Sequence, residues 1–423
     1  MKKRIPVIAL LAVLALVAAA CGGDDADADT TTTTAADGTT QATTTTIADE
    51  GGQLVMASIL PLTGDLAAFG PAMENSVRLA VDEANASGGV NGEQIAYLAL
   101  DSGTAEQVAQ DAANDAIAQG VGGVVGAAGS SISLSIIDLL AQSEVVEVSP
   151  SNTSAQFTTL ADDGWYFRTA PSDALQGAFT AQLVENSGAS SVAVIYRQDS
   201  YGQGLFEAFE GAFGGTVVTS TPYAPEAPDY SAEVTTLAQA DADAVVCICF
   251  PATGALIHTA AFEQGLLDVP WFYTDGMLDP TFPETAFPSD PSIVAGFQGT
   301  APASPTGDAI DTFTANYEAA YGMEFTLFAP QSYDAAWLII LAGEMGDGSG
   351  PSIKENIAAA SGGGEKCIGV ACLELARNGV DFDYVGASGE IDFDSVGDPG
   401  TALYQIWQYT EDGDTEQVSL VGG

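Results

Sequence analysis

The sequence predicts an α/β fold made of two similar doubly wound units, each built on a parallel sheet. Two observations lead to this prediction. Short apolar runs alternate with segments of helical periodicity, which is typical of parallel strands joined by helices. Near the middle of the chain the alternation restarts, and both halves begin with a strand, a polar turn, an aromatic-glycine pair and a helix. These pairs are Phe69-Gly70 and Tyr201-Gly202.

In the first half, strands are predicted at LVMASILPL, IAYLALD, VGGVVGA and VVEVSP. After the polar turn TGDLAAFG, a helix is indicated by five residues that share one face: Met73, Val77, Ala80, Val81 and Ala84. Further helices are predicted over 104–119 and 131–142. Apolar strands alternating with helices at this spacing favour a parallel sheet covered on both faces.

In the second half, strands are predicted at SVAVIY, TVVTS, ADAVVCICF and WFYT, and RQDSYGQG is interpreted as a turn. Helices are predicted at LFEAFEGAF, over 230–240 and over 254–264. The last of these contains His258, the single histidine of the chain, which is interpreted as a solvated or capping residue. One histidine excludes a His-rich zinc site and a triad supported by a second histidine.

The N-terminus is predicted to be an export signal over residues 1–20. Lys2, Lys3 and Arg4 precede an apolar run too short to span a bilayer comfortably, and small residues follow it. Cys21 comes next and resembles the acylated cysteine of bacterial lipoproteins, although Ala18 stands where that motif usually has Leu; ordinary secretion with a free thiol is the alternative. Residues 21–52, rich in Thr, Asp and Gly, are predicted to tether the protein outside the cytoplasmic membrane or in the periplasm.

Charge and cysteine content set further limits. The net charge is −48, from 57 acidic and 9 basic residues, and nucleic acid is excluded as a partner because clustered Lys and Arg are absent. Cys367 and Cys372 flank a Gly-containing turn, KCIGVAC, and are predicted to form a local disulfide after export. Cys247 and Cys249 lie on one face of a predicted buried strand and are interpreted as packed thiols. No cofactor or metal is expected.

The stretch VVGAAGSSIS has glycines that suggest a nucleotide loop, but their spacing fits neither a Rossmann fingerprint nor a phosphate-binding loop. Two interpretations remain. In the first, Ser130 or Ser131 only caps a helix. In the second, free N–H groups at the helix start bind a small anion such as a carboxylate.

Other predicted strands also end in loops that favour ligand binding. Ser151, Asn152 and Thr153 follow VVEVSP, so two donor-rich turns can converge on one carboxylate. Asp275 follows WFYT and could neutralise an ammonium across a cleft, although Asp-Gly alone is most often a turn. Three aromatic residues from other loops are candidates for an apolar wall: Phe69, Tyr201 and Phe250.

These motifs together resemble the leucine/isoleucine/valine-binding protein family, the amino-acid receptors of bacterial ABC importers. The resemblance is carried by SILPLTGDLAAFGPAMENSVRLAVDEANASGGVNG, GAAGSSIS, SPSNTSAQF, YFRTAPSD, SYGQG and GEIDFDSVGD. It implies the type I periplasmic-binding fold, with two lobes joined by a hinge. The implied lobes are 53–170 with 300–390, and 171–299 with 391–423.

The resemblance also implies roles for individual residues. Hydroxyls of Ser130 and Thr153, with main chain at Ala128 and Ser151, would bind the ligand carboxylate. Asp275 would bind the α-ammonium. Contacts from the sides are implied for Phe69, Tyr201 and Phe250. Asp in place of the family's frequent Glu, and Phe69 in place of a common Tyr, leave other amino acids, small amides and urea-like solutes open as ligands.

The implied function is an extracytoplasmic lipoprotein that captures a branched-chain or similar amino acid and delivers it to the permease of an ABC importer. A ligand sensor with the same fold is one alternative. An exported hydrolase that uses paired carboxylates such as Asp162 and Asp163 is another. Catalytic carboxylates need a cleft that separates their environments, whereas these two lie in a Gly-containing turn and are interpreted as solvated. A binding protein is therefore expected, not an enzyme.

Overall fold

The computed structural model describes residues 52–422. The predicted signal peptide, Cys21 and residues 21–51 of the predicted tether lie outside the described residues. Between residues 52 and 422, no helix is both long and apolar enough to cross a bilayer. Helices and mainly parallel strands alternate along this range, which confirms the predicted α/β class.

The secondary structure follows the predicted alternation with small shifts at the ends of elements. The strands are β1 (Val55–Leu60), β2 (Ala96–Asp101), β3 (Gly123–Gly126), β4 (Val146–Ser149), β5 (Tyr166–Arg168), β6 (Ser191–Arg197), β7 (Thr216–Tyr223), β8 (Ala244–Ile248), β9 (Trp271–Tyr273), β10 (Gln298–Pro302), β11 (Glu365–Cys367), β12 (Phe382–Gly386), β13 (Gly389–Glu390), β14 (Leu403–Tyr409) and β15 (Thr415–Gly422). The helices are α1 (Gly70–Ala86), α2 (Glu106–Ala118), α3 (Ser130–Gln142), α4 (Asp173–Asn186), α5 (Ser200–Ala212), α6 (Ser231–Gln239), α7 (Pro251–Glu263), α8 (Phe282–Ala286), α9 (Asp308–Tyr321), α10 (Ala329–Glu344), α11 (Gly350–Ser361) and α12 (Val370–Arg377).

The first half of the chain builds a five-stranded sheet in the order β2-β1-β3-β4-β5. All of its neighbouring strands are parallel. The apolar face predicted for α1 is buried, and Met73, Val77 and Ala80 are at most 1 % exposed. Because every strand runs in the same direction, the loops after β1, β3 and β4 lie at one edge of the sheet.

The second half builds a seven-stranded sheet in the order β15-β14-β10-β9-β8-β6-β7. The strands from β6 to β10 are parallel, whereas β14 and β15 are antiparallel additions at one side. Trp271, Tyr273 and Trp407 are fully buried in its core. The loops after β6, β8 and β9 therefore lie at one edge, as in the first sheet.

Three stretches of chain connect the two sheets. The first runs from β5 to α4, the second leaves β10 towards α9, and the third leads from β13 to β14. Hydrogen bonds hold the first stretch to α10 and to β14: Thr169 Oγ1 donates to Gln331 O (2.9 Å), and Tyr404 Oη donates to Ser172 O (3.0 Å). Helix α10 is buried along almost its whole length and packs against α1 and α11. Connections of this kind form a hinge between two lobes.

Two local predictions are wrong. SYGQG is the first turn of α5 and not a turn before it, because Asp199 accepts a hydrogen bond from Gly202 N (3.0 Å) and starts the helix early. His258 is fully buried and not solvated. Its ring bonds to Gly254 O (2.8 Å) and to Tyr273 Oη (2.7 Å), and burial lowers its pKa to about 4.

The interpretation of Cys247 and Cys249 as separate packed thiols is also wrong. The structure joins them in a disulfide, with Cα atoms 5.4 Å apart. Cys247 lies in β8 and Cys249 directly follows its last residue, and this Cα separation is in the range that a disulfide requires. Cys367 and Cys372 also lie within disulfide range, with Cα atoms 5.2 Å apart.

Candidate functional site

A small cavity of about 20 Å³ lies where the carboxyl-end loops of the two sheets meet. Seven of the eight predicted ligand-binding residues line it: Phe69, Ala128, Ser130, Ser151, Tyr201, Phe250 and Asp275. Every predicted hydroxyl, aromatic ring and carboxylate in this group except that of Ser151 is at most 4 % exposed. The structure therefore gathers loops from both halves of the chain around one nearly closed space.

On the side of the five-stranded sheet, Ser130 is the first residue of α3, and Gly129 occupies the N-cap position. The capping interpretation is therefore wrong, since no side chain caps this helix. The Ser130 hydroxyl instead accepts a hydrogen bond from Ser154 N (3.3 Å). This hydroxyl keeps its own proton available for a ligand, next to the positive end of a 13-residue helix.

The loop after β4 supplies two further hydroxyls. Ser151 Oγ and Thr153 Oγ1 are both buried and have no hydrogen-bond partner within residues 52–422. Thr153 does not line the cavity; it is fully buried beside the residues that do. A buried hydroxyl without a partner costs about 1–3 kcal/mol, so both groups are suited to an incoming polar ligand.

On the side of the seven-stranded sheet, Asp275 follows β9 in a short 3-10 turn. Its Oδ1 accepts hydrogen bonds from Tyr201 Oη (2.8 Å) and Gln176 Nε2 (2.9 Å). Tyr201 Oη also lies 2.9 Å from Thr274 Oγ1. Burial raises the pKa of Asp275 to about 6, so this carboxylate lies in an environment that lacks a compensating cation.

A second buried carboxylate, Asp173, was missed by the sequence analysis. It is the first residue of α4, it is fully buried, and neither of its oxygens completes a hydrogen bond within the described range. Burial raises its pKa well above the usual value, and the charge of Asp275 raises it further, although the nearby Thr153 hydroxyl and the Arg168 guanidinium each lower its pKa. The Ser172-Asp173 pair is typical of an ordinary helix start, so nothing in the sequence indicates that Asp173 lies near a ligand site. Gln176, one turn later, was missed for the same reason.

Apolar side chains form the rest of the wall. The rings of Tyr201 and Phe250 stack with centroids 5.1 Å apart, and the guanidinium of Arg197 lies 4.3 Å from the centroid of the Phe250 ring. Phe69 comes from the opposite sheet. Four apolar lining residues were not predicted: Pro61, Leu66, Met73 and Phe328.

Near the cavity, Asp65 joins the two sheets. It follows β1, and its carboxylate forms an ion pair with Arg197 at the end of β6. The same carboxylate accepts hydrogen bonds from Thr253 N (2.8 Å) and Thr253 Oγ1 (3.1 Å) at the start of α7. We call these three residues, Asp65, Arg197 and Thr253, the Asp65 latch. It connects the loop edges of both sheets outside the cavity.

Within residues 52–422, no three His, Cys, Asp or Glu side chains are grouped in a way that could hold a metal ion. Asp162 and Asp163 lie in the turn before β5 and do not line the cavity, and Asp163 is exposed. The polar side chains that line the cavity are the Ser130 and Ser151 hydroxyls, the Tyr201 phenol and the Asp275 carboxylate. Such a set can bind a small polar molecule by hydrogen bonds and charge.

Comparison with known proteins gives a consistent result. The profile of a family described as periplasmic binding protein matches residues 53–361. The Leu/Ile/Val-binding protein homolog 3 of Brucella melitensis is 30% identical over 217 residues, which cover 50% of this chain and 59% of that protein. The chemotactic signal transduction system substrate-binding protein BasB of Halobacterium salinarum is 26% identical over 379 residues, 86% of this chain and 88% of that protein.

The fold has a solved counterpart in the branched-chain amino acid transporter substrate binding protein LivJ from Streptococcus pneumoniae, in complex with isoleucine. The two agree with a TM-score of 0.74 at 23% identity, over 88% of this chain and 100% of LivJ. This similarity confirms the predicted type I periplasmic-binding fold, and the matches together confirm the resemblance seen in the motifs. The named relatives are substrate-binding proteins, which confirms the expectation of a binding protein and not an enzyme.

Proposed function

This chain belongs to the periplasmic binding protein family, and from that premise we propose that it captures an amino acid with an apolar side chain between its two sheets. The ligand carboxylate would bind the neutral donors of the first sheet. Its ammonium would bind the carboxylates of the second sheet. The sections of wall formed by aromatic and aliphatic side chains would receive the rest of the molecule.

The observation that carries this proposal is the pair of buried carboxylates, Asp173 and Asp275. Neither forms an ion pair within the described residues, and burial raises the pKa of both. A buried carboxylate without a cation is unfavourable, whereas an ammonium in the cavity beside Asp275 would stabilise its ionised form. On the opposite side, hydroxyls without partners at Ser151 and Thr153 suit an anionic group.

The apolar part of the wall supports a ligand without a charged side chain. Leu66, Phe69, Met73, Phe250 and Phe328 line the cavity, and a charged group placed among them would lose its hydration without gaining a partner. The names of the relatives point the same way, since one is a Leu/Ile/Val-binding protein homolog and LivJ was solved with isoleucine.

Binding would be coupled to closure of the lobes. In this conformation the cavity of about 20 Å³ is smaller than an amino acid, so the loop edges must separate for the ligand to enter and must close around it less tightly than they do here. A ligand that contacts both sheets has its full set of contacts only in the closed form, and it therefore shifts the population towards that form. We assign the lobes approximately to 53–170 with 300–390 and to 171–299 with 391–423, except that all of β10 belongs to the second lobe because it pairs with β9 and β14. Rotation would occur about the three connecting stretches.

The proposal extends to location and partner. The chain would be exported by the signal over residues 1–20 and anchored through acylated Cys21, with residues 21–52 as a tether. A disulfide between Cys367 and Cys372 suits that oxidising compartment. From there the closed, loaded form would deliver its ligand to the permease of an ABC importer.

A second candidate function is sensing, and the match to BasB favours it. That relative is named as a substrate-binding protein of a chemotactic signal transduction system, and the match covers 86% of this chain. The ligand site would be the same in both functions, and only the partner that recognises the closed form would differ.

The test compares one ligand with two truncated analogues. L-leucine carries both charges, 4-methylpentanoate lacks the ammonium and 3-methylbutylamine lacks the carboxylate. At about 100 times its dissociation constant a ligand adds roughly 2.7 kcal/mol to stability, so we expect a clear rise in melting temperature with L-leucine and little with either analogue. Equal shifts with all three compounds, or with none, would contradict a zwitterion site.

A further inference from the structure

Glu147 is a buried acidic residue with no role in the proposed contacts to the ligand. It lies in the middle of β4 and is fully buried. Its neighbours in the sheet are Val124 of β3 and Tyr166 of β5. Within residues 52–422, Glu147 forms no ion pair. A carboxyl group in such a position lowers stability unless its contacts compensate.

The contacts of Glu147 lead to the turn that faces the ligand. Its Oε1 accepts a hydrogen bond from Ala127 N (3.1 Å). Ser133 of α3 shares this N–H (2.9 Å) and donates to Ala127 O (3.2 Å), while Ser149 Oγ also donates to Ala127 O (2.8 Å). The backbone of Ala127 is thus held at its N–H and at its C=O, which belong to the peptide groups on either side of this residue.

Ala127 is directly followed by the residues that would bind the ligand carboxylate. Ala128 and Ser130 line the cavity, and Gly129 between them has a positive φ of 87°, which a residue with a side chain rarely adopts. The orientation of this short turn depends on how the two peptide groups flanking Ala127 are fixed. Of the three side chains that fix them, Glu147 is the one that titrates.

We propose that Glu147 is a positioning residue of the ligand site, which holds the 127–129 turn so that Ala128 and Ser130 face the bound carboxylate. The proposal rests on the proposed function, since it assigns a role toward the same ligand. Glu147 itself does not touch the cavity.

The protonation state of Glu147 fits this role. Burial raises its pKa to about 8, so it is neutral at physiological pH and adds no negative charge behind a carboxylate site. The titratable groups that act on it are Asp162 and Tyr166, and neither supplies a positive charge. Glutamine is therefore its closest replacement, because a neutral acid and an amide have similar shape and the same acceptor oxygen.

The stability lost by burying the Glu147 carboxyl group makes the proposal testable. Glu147 Oε2 is buried and has no hydrogen-bond partner within the described range, so an apolar side chain of similar size should be neutral or stabilising in this strand. If Glu147 served only to pack the strand, replacing it with an apolar side chain would leave ligand affinity unchanged. A positioning residue would lose ligand affinity while the fold is retained.

The experiment compares E147M and E147Q in the full-length protein, with E144Q as a matched control that neutralises an exposed acid in the turn before the same strand. L-leucine affinity is measured by calorimetry. Amide hydrogen exchange of the 126–133 segment is measured without ligand. We expect E147M to weaken L-leucine binding at least tenfold and to speed exchange in this segment at least tenfold, at an unchanged or raised melting temperature. E147Q and E144Q should match the natural protein.

Wild-type affinity and exchange in E147M would overturn the proposal, as would equal losses in E147M and E147Q. If E147M does not fold, E147V, which suits a buried strand, replaces it with the same expectations. If L-leucine does not bind the unmodified protein, the proposed function fails for that ligand, and hydrogen exchange still decides the role of Glu147.

Discussion

The loop edges of the two sheets use the same local design for opposite chemistry. Each has an aromatic-glycine pair at the first turn of a helix, and neither glycine has room for a side chain. A Cβ on Gly70 would lie 2.1 Å from Pro61 O, and one on Gly202 would lie 2.1 Å from Arg197 O. The close approach of backbone to backbone is therefore the shared feature of both edges.

The side chains that follow this shared frame differ in charge. The first sheet contributes neutral hydroxyls at Ser130 and Ser151, whereas the second contributes Asp275, whose charge acts on the buried Asp173 at the start of α4. A ligand with one charge would leave one edge without a partner. The difference indicates that the two edges divide the recognition of a zwitterion, and each prediction below tests one side of this division.

The largest effect is expected on the acidic side, from D275A. Truncating one partner of a buried charge pair costs about 2–5 kcal/mol, so we expect L-leucine affinity to fall about 30-fold or more in calorimetry. The melting temperature of the ligand-free protein should stay the same or rise, because the repulsion between Asp275 and Asp173 is removed. An unchanged affinity would end the assignment of the ammonium to Asp275.

The next effect is expected on the neutral side, from S130A. A hydrogen bond to a charged group contributes about 1.5–3 kcal/mol, so the dissociation constant for L-leucine should rise at least about tenfold. S131A removes the adjacent hydroxyl, which does not line the cavity, and is the matched control with wild-type affinity. The division would be contradicted if S130A weakened L-leucine no more than S131A does.

A third prediction uses the pH dependence of L-leucine affinity to distinguish the acidic side from the neutral side. Burial raises the folded pKa of Asp275 to about 6, above its usual 3.8, so in the free protein this group contributes stability that is present below about pH 4 and lost as the pH rises through 6. A bound ammonium favours the ionised form and reverses that preference. L-leucine affinity should therefore fall below pH 6, by up to about tenfold per unit.

Calorimetry between pH 5 and 7.5 checks this expectation, in buffers of different ionisation enthalpy that reveal proton release on binding. In D275N the slope below pH 6 should be much shallower, while S130A should keep it. A pH-independent affinity in the natural protein would show that Asp275 is already ionised before the ligand arrives.

The sequence was sufficient for most of the fold because strand and helix periodicity repeat regularly in both halves. It failed where a single contact shifts an element, as at Asp199, which starts α5 earlier than its apolar pattern does. It also failed at His258, since its partner Tyr273 lies on another element and burial cannot be read from a helical pattern alone.

The candidate site was predictable where residues follow strands directly, as Ser130 and Asp275 do. Asp173 was not predictable, because it reaches the site through the first connection between the sheets and its local sequence only indicates a helix start. The same limit applies to Asp65 and Arg197, which are 132 positions apart. Their pairing depends on how the two lobes meet, and no local pattern contains that information.

The smallest effect is expected from breaking the Asp65 latch, and it should be independent of ligand charge. D65N removes the buried ion pair to Arg197, but Arg197 keeps its ion pair with Asp199. The loss is therefore that of a single hydrogen bond, about 1 kcal/mol of closed-state stabilisation. Affinity for L-leucine and for any analogue that binds should fall by the same factor, about fivefold.

D199N is the matched control, because Asp199 bonds to Arg197 from the same sheet and Asn preserves its helix cap. Small-angle scattering should show a larger radius of gyration for ligand-free D65N than for D199N. A loss confined to L-leucine would instead place Asp65 among the groups that recognise the zwitterion, and the neutral edge would then no longer be neutral.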